Sequence, residues 1–230
     1  MMEVVILAGG LGTRLRHVIG EYPKCMAEVA GRPFIFYLIE QCLSQGATSI
    51  VFSLGYRHEV VEEYLETLQW TIPYTVVVEQ EPLGTGGGIH LALQKTTNKN
   101  VLVLNGDSFF DISFETLIRQ HIHAQSDCTL ALKSMKDFER YGTVVLKENL
   151  VIEKFEEKKP CERGLINAGV YVIDVPQFFS KSWPKKFSFE VDYLSAFVSE
   201  GKFYGCEQAG YFIDIGIESD FKRAQIDLKK

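Results

Sequence analysis

The chain has 230 residues, 46% of them hydrophobic, and a formal charge of −6. That length and apolar content suit one α/β domain, or one domain with a small extra lobe, built round a full core. The acidic balance argues against nucleic-acid binding, so any cations that hold an anionic ligand must be local.

Five cysteines (Cys25, Cys42, Cys128, Cys161 and Cys206) are scattered and form no C-x-x-C pair. They point to a reduced cytoplasmic protein without disulfides or structural zinc. A strand-like run begins at once, with no basic region and cleavage site before it, so no signal peptide is expected. No apolar run approaches the length of a membrane span.

In chain order, apolar β-branched runs at 3–8, 49–54, 74–79, 100–104, 128–132 and 143–146 predict strands. Helical spacing falls between them. Phe34, Leu38, Gln41 and Cys42 share one face, Val60, Val61, Tyr64, Leu65 and Leu68 a second, and Phe114, Leu117, Ile118 and Ile122 a third. Strands alternating with helices predict a doubly wound, mostly parallel sheet, whose ligands sit at the carboxyl ends of strands. Beyond about residue 130 the chain is richer in strands, at 151–155, 164–173, 202–207 and 211–215, with helices expected near 191–199 and 219–228. No linker, repeat or low-complexity tract divides it, so residues 1–230 read as one unit. The charge cluster at 153–159 suits a solvated strand end and loop.

The first strand runs into LAGGLGTRL, residues 7–15. Glycines let backbone N–H groups approach and cradle phosphate oxygens. This is not a P-loop, which needs G-x-x-x-x-G-K-[ST], and Leu15 stands where a dinucleotide fingerprint needs its third glycine. Glycine alone would mean only a tight turn. Arg14 and, in YPKCM, Lys24 add two cations beside the loop, which suits a polyphosphate.

L-A-G-G-x-G-T-R-L followed by P-K resembles the signature of the sugar-1-phosphate nucleotidylyltransferases, which join a nucleoside triphosphate to a sugar 1-phosphate and release pyrophosphate. EPLGTGGG (81–88), NGDSFFD (105–111), RYGTV (140–144), EEKKP (156–160), INAGVYV (166–172) and FIDIG (212–216) resemble further family blocks in order, covering nearly the whole chain. The resemblance implies the nucleotide-diphospho-sugar transferase fold, a Rossmann-like, mixed sheet. Its nucleotide-binding part spans about 1–130 and its strand-rich, sugar-binding part about 131–230.

Substitution at the α-phosphorus needs no protein nucleophile; it needs two mutually repelling anions positioned and developing charge neutralised. By resemblance, Asp107 and Asp214 hold Mg²⁺. Read from the residues alone, Asp107 at a strand end fits a metal ligand or a turn cap. Asp214, between apolar neighbours, fits a metal ligand or a buried salt bridge. Arg14 resembles the grip on the leaving phosphates, Lys24 the residue on the α-phosphate, and Lys158 the lysine on the sugar phosphate. Glu157 resembles the acid on sugar hydroxyls, with Glu156 and Lys159 as rivals in the same run. The resemblance places nucleotide contacts at Leu7, Ala8, Gly9, Gly10, Gly12, Thr13, Gln80, Glu81, Gly84, Thr85, Asn105 and Gly106. It places sugar contacts at Tyr141, Gly142, Asn167, Ala168, Gly169 and Glu190, though Asn167 also suits a turn. Glu190 and Asp192 equally suit helix caps. The pair His121 and His123 lacks a third metal ligand and reads as two exposed helix histidines.

Two positions depart from the family pattern. Cys25 replaces the proline usual after the lysine, and a nearby cation would make its thiol reactive. Glu218 replaces another proline at a helix start, where an acid is favourable. Within the family, GLINAGVYV, EKFEEK, KFSFEVDYLS and GYFIDIGIESDFKRAQ most resemble the bacterial D-glycero-α-D-manno-heptose 1-phosphate guanylyltransferases, which implies GTP as co-substrate. The alternatives are a uridylyl-, thymidylyl- or guanylyltransferase acting on another sugar 1-phosphate, of N-acetylmuramate, mannose or glucose. A regulatory subunit that binds nucleotide sugars without turnover ranks lower, because Arg14, Lys24, Asp107 and Asp214 are all present. A nicotinamide oxidoreductase ranks lower still, since the second strand ends in SLGY rather than a ribose-binding acid.

Overall fold

The computed structural model describes residues 1–10, 12 and 15–229. The chain begins with β1 (Glu3–Ala8), the short helix α1 (Arg16–Ile19) and a small ribbon of β2 (Glu28–Val29) and β3 (Arg32–Pro33). It continues through α2 (Phe34–Ser44), β4 (Ser49–Leu54), α3 (His58–Glu66), β5 (Tyr74–Val78), α4 (Gly84–Leu93), β6 (Asn100–Asn105), β7 (Ser108–Phe110) and α5 (Phe114–Ala124). The second part comprises β8 (Cys128–Phe138), β9 (Thr143–Leu146), β10 (Ile152–Glu156), β11 (Cys161–Asp174), α6 (Val175–Phe179), β12 (Phe203–Glu207), β13 (Phe212–Asp214) and α7 (Glu218–Asp227).

Nine strands form the main sheet in the order β10-β9-β11-β6-β1-β4-β5, with β8 pairing β11 and β12. β6, β1, β4 and β5 run parallel, whereas β11 is antiparallel to β6, β8 and β9. The sheet is thus doubly wound and mixed, as expected. The chain builds outward from β1 to β5 and then returns to place β6 on the other side of β1. That reversal leaves a crevice at the carboxyl ends of β1 and β6, where ligands of such sheets sit.

Alternation along each strand supplies two cores, because successive side chains point to opposite faces. Val4, Ile6, Leu102 and Leu104 pack with Phe34, Leu38 and Phe114 on one face. Val5, Val101 and Val103 pack with Ile89, Phe178 and Tyr193 on the other.

Several elements differ from expectation. β8 and β11 are longer than their apolar cores, since their charged halves pair with each other from Cys161–Phe138 inward. β7 is hidden inside the NGDSFFD turn and exists because β13 pairs with it. The glycine-rich stretch after Leu83 forms the helix α4. Tertiary contact overrides the low helix propensity of glycine here: a β-carbon at Gly86 would lie 2.3 Å from the Phe187 ring. The helix expected at 191–199 is a π-helix, Phe189–Ser195, followed by a 3-10 turn at Val198–Glu200. Among the described residues no helix is long and apolar enough to cross a membrane.

Candidate active site

The chain leaves β1 into the glycine turn. Thr13 and Arg14 lie outside the described residues. Gly9 backs onto Gly55 at the end of β4, where a β-carbon on Gly55 would sit 2.9 Å from the Gly9 carbonyl. Gly12 has φ +58° and lies against Lys24, its missing β-carbon 3.1 Å from that side chain. Gly106 donates its N–H to the Leu7 carbonyl at 2.8 Å, so the ends of β1 and β6 are tied together.

Lys24 opens a 3-10 turn directly after Pro23 and is only 9% exposed. Its Nζ donates to Asp107 Oδ2 at 2.8 Å and to Asp214 Oδ1 at 3.3 Å. The β7–β13 pairing carries this geometry. Ser108 faces Asp214 across that ribbon, and Ile215 N donates to the Asp107 carbonyl at 3.0 Å. Asp214 also accepts from the Gly216 N–H at 2.7 Å. Arg140 bonds Asp220 of α7 and approaches Asp214 Oδ2 at 3.8 Å.

Two carboxylates converging on one ammonium fit a cation site: the lysine already stands where positive charge is wanted. Among the described residues no trio of histidine, cysteine or carboxylate side chains converges. A metal here would therefore rest on Asp107 and Asp214 and on its substrates' phosphates, which is how Mg²⁺ is usually held.

A cavity of about 300 Å³ opens beside this cluster. Tyr141, Gly142, Glu157, Lys158, Asn167 and Glu190, all expected to meet the sugar, line it together with Asp214. The EEKKP rivals are sorted by pairing. Glu156 accepts from Lys159 at 3.0 Å, Lys154 at 2.7 Å and Thr143 at 3.0 Å. These hydrogen bonds, that of Lys154 foremost, pull its carboxyl down to about 2. Glu157 and Lys158 carry no such pairing among the described residues. Asn167 faces the cavity, accepts from Gly169 N at 3.0 Å and donates to the Tyr171 hydroxyl at 2.9 Å. Gly169 has φ +75°, and a β-carbon there would strike Asn105 and Ser108 at 2.7 Å. Ala168 is a correction, since its side chain is 1% exposed and packs into the apolar core, not the cavity wall.

A second cavity of about 340 Å³ lies at the ends of β1, β4 and β5, lined by Gly9, Gly55, Tyr56, Glu79, Gln80 and Glu81. Gln80 is exposed there, whereas Glu81 pairs with Lys185. Glu79 was not singled out by sequence. It is half-buried, its Oε2 accepts from the Leu83 N–H at 2.9 Å, and burial raises its carboxyl above the ordinary range. It sits where β-carbons on Gly9 and Gly88 would clash, at 2.9 and 2.8 Å. The only sequence signal was the pair of small residues that make room for it.

The start of α4 packs against residues 187–190. Gly84 has φ +75° and abuts the Phe187 carbonyl. Thr85 Oγ1 donates to Glu190 Oε2 at 2.7 Å and accepts from Phe189 N at 2.9 Å. Helix capping falls to Ser188 and Asp192, which bond each other's ends of the first turn. A larger groove, about 1170 Å³, lies among Arg32, Tyr37, Gln41, Phe109 and Tyr211. It contains none of the residues expected to handle phosphate, so chemistry favours the smaller cavities.

Two further expectations are corrected. His121 is 1% exposed, wedged between Thr129 Oγ1 (3.0 Å) and Asn100 Oδ1 (3.2 Å), because its helix face packs on β6 and β8. His123 is exposed as expected. Cys25 is buried, and burial pushes its thiol up to about 12. The nearby lysine does not activate it, since Lys24 spends its charge on two carboxylates. Glu218 does begin α7, paired with Lys222 at 2.7 Å and His17 at 3.2 Å.

A glycine turn at a topological switch point, a buried lysine on paired carboxylates and an adjoining polar cavity define a phosphate-handling α/β enzyme. The chain belongs to the nucleotidyl transferase family, which matches residues 3–230. It is 45% identical over 228 residues to the D-glycero-alpha-D-manno-heptose 1-phosphate guanylyltransferase of Aneurinibacillus thermoaerophilus, covering 99% of each chain. It is 40% identical over 220 residues to the Campylobacter jejuni protein of the same name, covering 96% of this chain and 97% of that one. The crystal structure of HddC from Yersinia pseudotuberculosis superposes with a TM-score of 0.89 at 33% identity, covering all of both chains. A second HddC structure, complexed with GMP-PN, has a TM-score of 0.88.

Proposed function

We propose that the chain joins GTP to D-glycero-α-D-manno-heptose 1-phosphate, giving GDP-heptose and pyrophosphate. The observation that carries this reading is the Lys24 ammonium held between Asp107 and Asp214, beside the cavity that Asp214 lines. The guanylyltransferase relatives support the choice of substrates.

A phosphate oxygen of the sugar 1-phosphate attacks the α-phosphorus, and the bond to the β-phosphate oxygen breaks. Lys24 neutralises charge on the α-phosphate as it is attacked. Arg14 grips the departing pyrophosphate from the glycine turn, helped by N–H groups of Gly9, Gly10, Gly12 and Thr13. Lys158 holds the sugar phosphate, and Glu157 and Glu190 accept from sugar hydroxyls. The base lies near Gln80 and Glu81, beside Gly84 and Thr85 at the start of α4. Asp107 and Asp214 hold Mg²⁺, which when bound lowers the repulsion between the two anions. The protein supplies position and charge, the two contributions that phosphoryl transfer needs. The enzyme acts in the cytoplasm as one domain, with the nucleotide handled by about residues 1–130 and the sugar by about 131–230.

Pyrophosphate release with Mg²⁺ tests this, pairing GTP, UTP, dTTP, CTP and ATP with heptose, mannose, glucose and N-acetylmuramate 1-phosphates. A signal confined to GTP with the heptose phosphate is expected. A different productive pair would replace the substrates and keep the site. Nucleotide-sugar binding with no turnover anywhere would refute the enzymatic reading.

A further inference from the structure

We infer that Ser195 is a specificity-determining residue: the π-helix carries its hydroxyl to the cavity mouth, where it accepts a hydrogen bond from the terminal hydroxymethyl of the heptose. The inference rests on the sugar reading given above.

Three residues of the helix at Phe189–Ser195 line the sugar cavity: Glu190, Leu194 and Ser195. An α-helix would bring Leu194, but not Ser195, alongside Glu190. At 3.6 residues per turn, Ser195 would point about 140° away from Glu190. Bonding here is of the wider kind, with the Ala196 N–H reaching the Val191 carbonyl five residues back. That winding brings residue i+5 back toward residue i, and such turns are frequent at functional sites. Ser195 Oγ accordingly lies 2.9 Å from the Glu190 carbonyl, to which it donates.

The three side chains divide by chemistry. Glu190 is anchored toward the start of α4, its carboxylate accepting from Thr85 at 2.7 Å and Ser188 at 3.0 Å. Leu194 is buried and offers an apolar surface beside Phe155. Ser195 is exposed, and its proton is committed to the Glu190 carbonyl, so its oxygen remains an acceptor. Arg140 and Lys158 are the cations that line this cavity, and they take the phosphate. A chain projecting from the sugar ring then meets Leu194 and Ser195, its end hydroxyl donating to Ser195. Mannose 1-phosphate has the same ring and lacks that last carbon.

Two variants test this, Ser195→Ala and Ser195→Leu, with steady-state kinetics on the heptose phosphate and mannose 1-phosphate as substrate or competitor. Loss of one neutral hydrogen bond should raise KM for the heptose phosphate about 2- to 10-fold in Ser195→Ala. kcat, KM for GTP and the affinity for mannose 1-phosphate should stay the same. Ser195→Leu should raise the heptose KM further, with mannose 1-phosphate still unaffected. An unchanged heptose KM in Ser195→Ala, or an equal loss for both sugars, would overturn the inference alone. A wild-type enzyme inert to the heptose phosphate would overturn the substrate reading and this inference with it.

Discussion

Replacing Lys24 by methionine keeps the apolar stem and deletes the ammonium. Its Nζ lies 2.8 Å from Asp107 and 3.3 Å from Asp214. At an effective dielectric of about 20, unit charges at those distances attract by roughly 6 and 5 kcal/mol before desolvation. The Asp107 side chain is 44% exposed, so water screens much of that. Breaking a buried pair costs about 3–5 kcal/mol, and this half-open cluster should fall below that, with about 2 kcal/mol of stability lost. The catalytic effect should be larger, because removing one preorganised charge contact to a transition state costs about 3–4 kcal/mol, or 10²- to 10³-fold in kcat. Pyrophosphate release at saturating substrates measures this. The same change should tighten Mn²⁺ binding to the nucleotide-free protein at least about 10-fold, read by electron paramagnetic resonance, since no ammonium competes for the carboxylates. A kcat within threefold of wild type would refute the role of Lys24. Unchanged Mn²⁺ affinity would refute the view that the lysine stands at a cation site.

His121 makes stability depend on pH. Burial, only partly offset by nearby Asp174, lowers its imidazole from 6.5 to about 4. Between those values the unfolded chain binds the extra proton, so stability is complete above pH 6.5 and falls by about 3 kcal/mol as pH drops to 4. Urea titrations should show His121→Gln losing less than wild type between pH 7.5 and 4.5; identical losses would contradict this. Gly86→Ala would drive a methyl into the Phe187 ring and part α4 from the π-helix. About 1–3 kcal/mol of destabilisation is expected, together with a raised KM for both substrates, and wild-type behaviour would count against the packed junction. Native Cys25 should resist thiol reagents at pH 8 and react only on unfolding, as mass spectrometry of labelled peptides can check.

Much of this was legible from local spacing. The strands β1, β4 and β9 fall where the apolar runs placed them, and α2, α3 and α5 where the 3.6-residue pattern lay. Those periods are properties of a short stretch of backbone, so a short stretch of sequence reports them. The cations, glycines and carboxylates of the site were also legible as residue types, since phosphate chemistry needs them. The readings that failed depended on distant neighbours. His121 was expected outside because its own helix could not announce that β6 and β8 cover it. Cys25 was expected to be reactive from its neighbour in sequence, whereas its environment is set by the buried core.

By itself the sequence determined which groups are available and the alternation of strand and helix that makes a doubly wound sheet inevitable. Only the tertiary structure decided which groups meet. Lys24, Asp107 and Asp214 converge because β13, legible as the run at 211–215, pairs with β7, a three-residue strand too short to show a periodicity of its own. Glu190 reaches Thr85 where Phe187 packs against Gly84 and Gly86 of α4, and Ser195 reaches the cavity on the π-helix that follows. Strand partners and helix winding are settled by long-range contact, and no local pattern of residues encodes them.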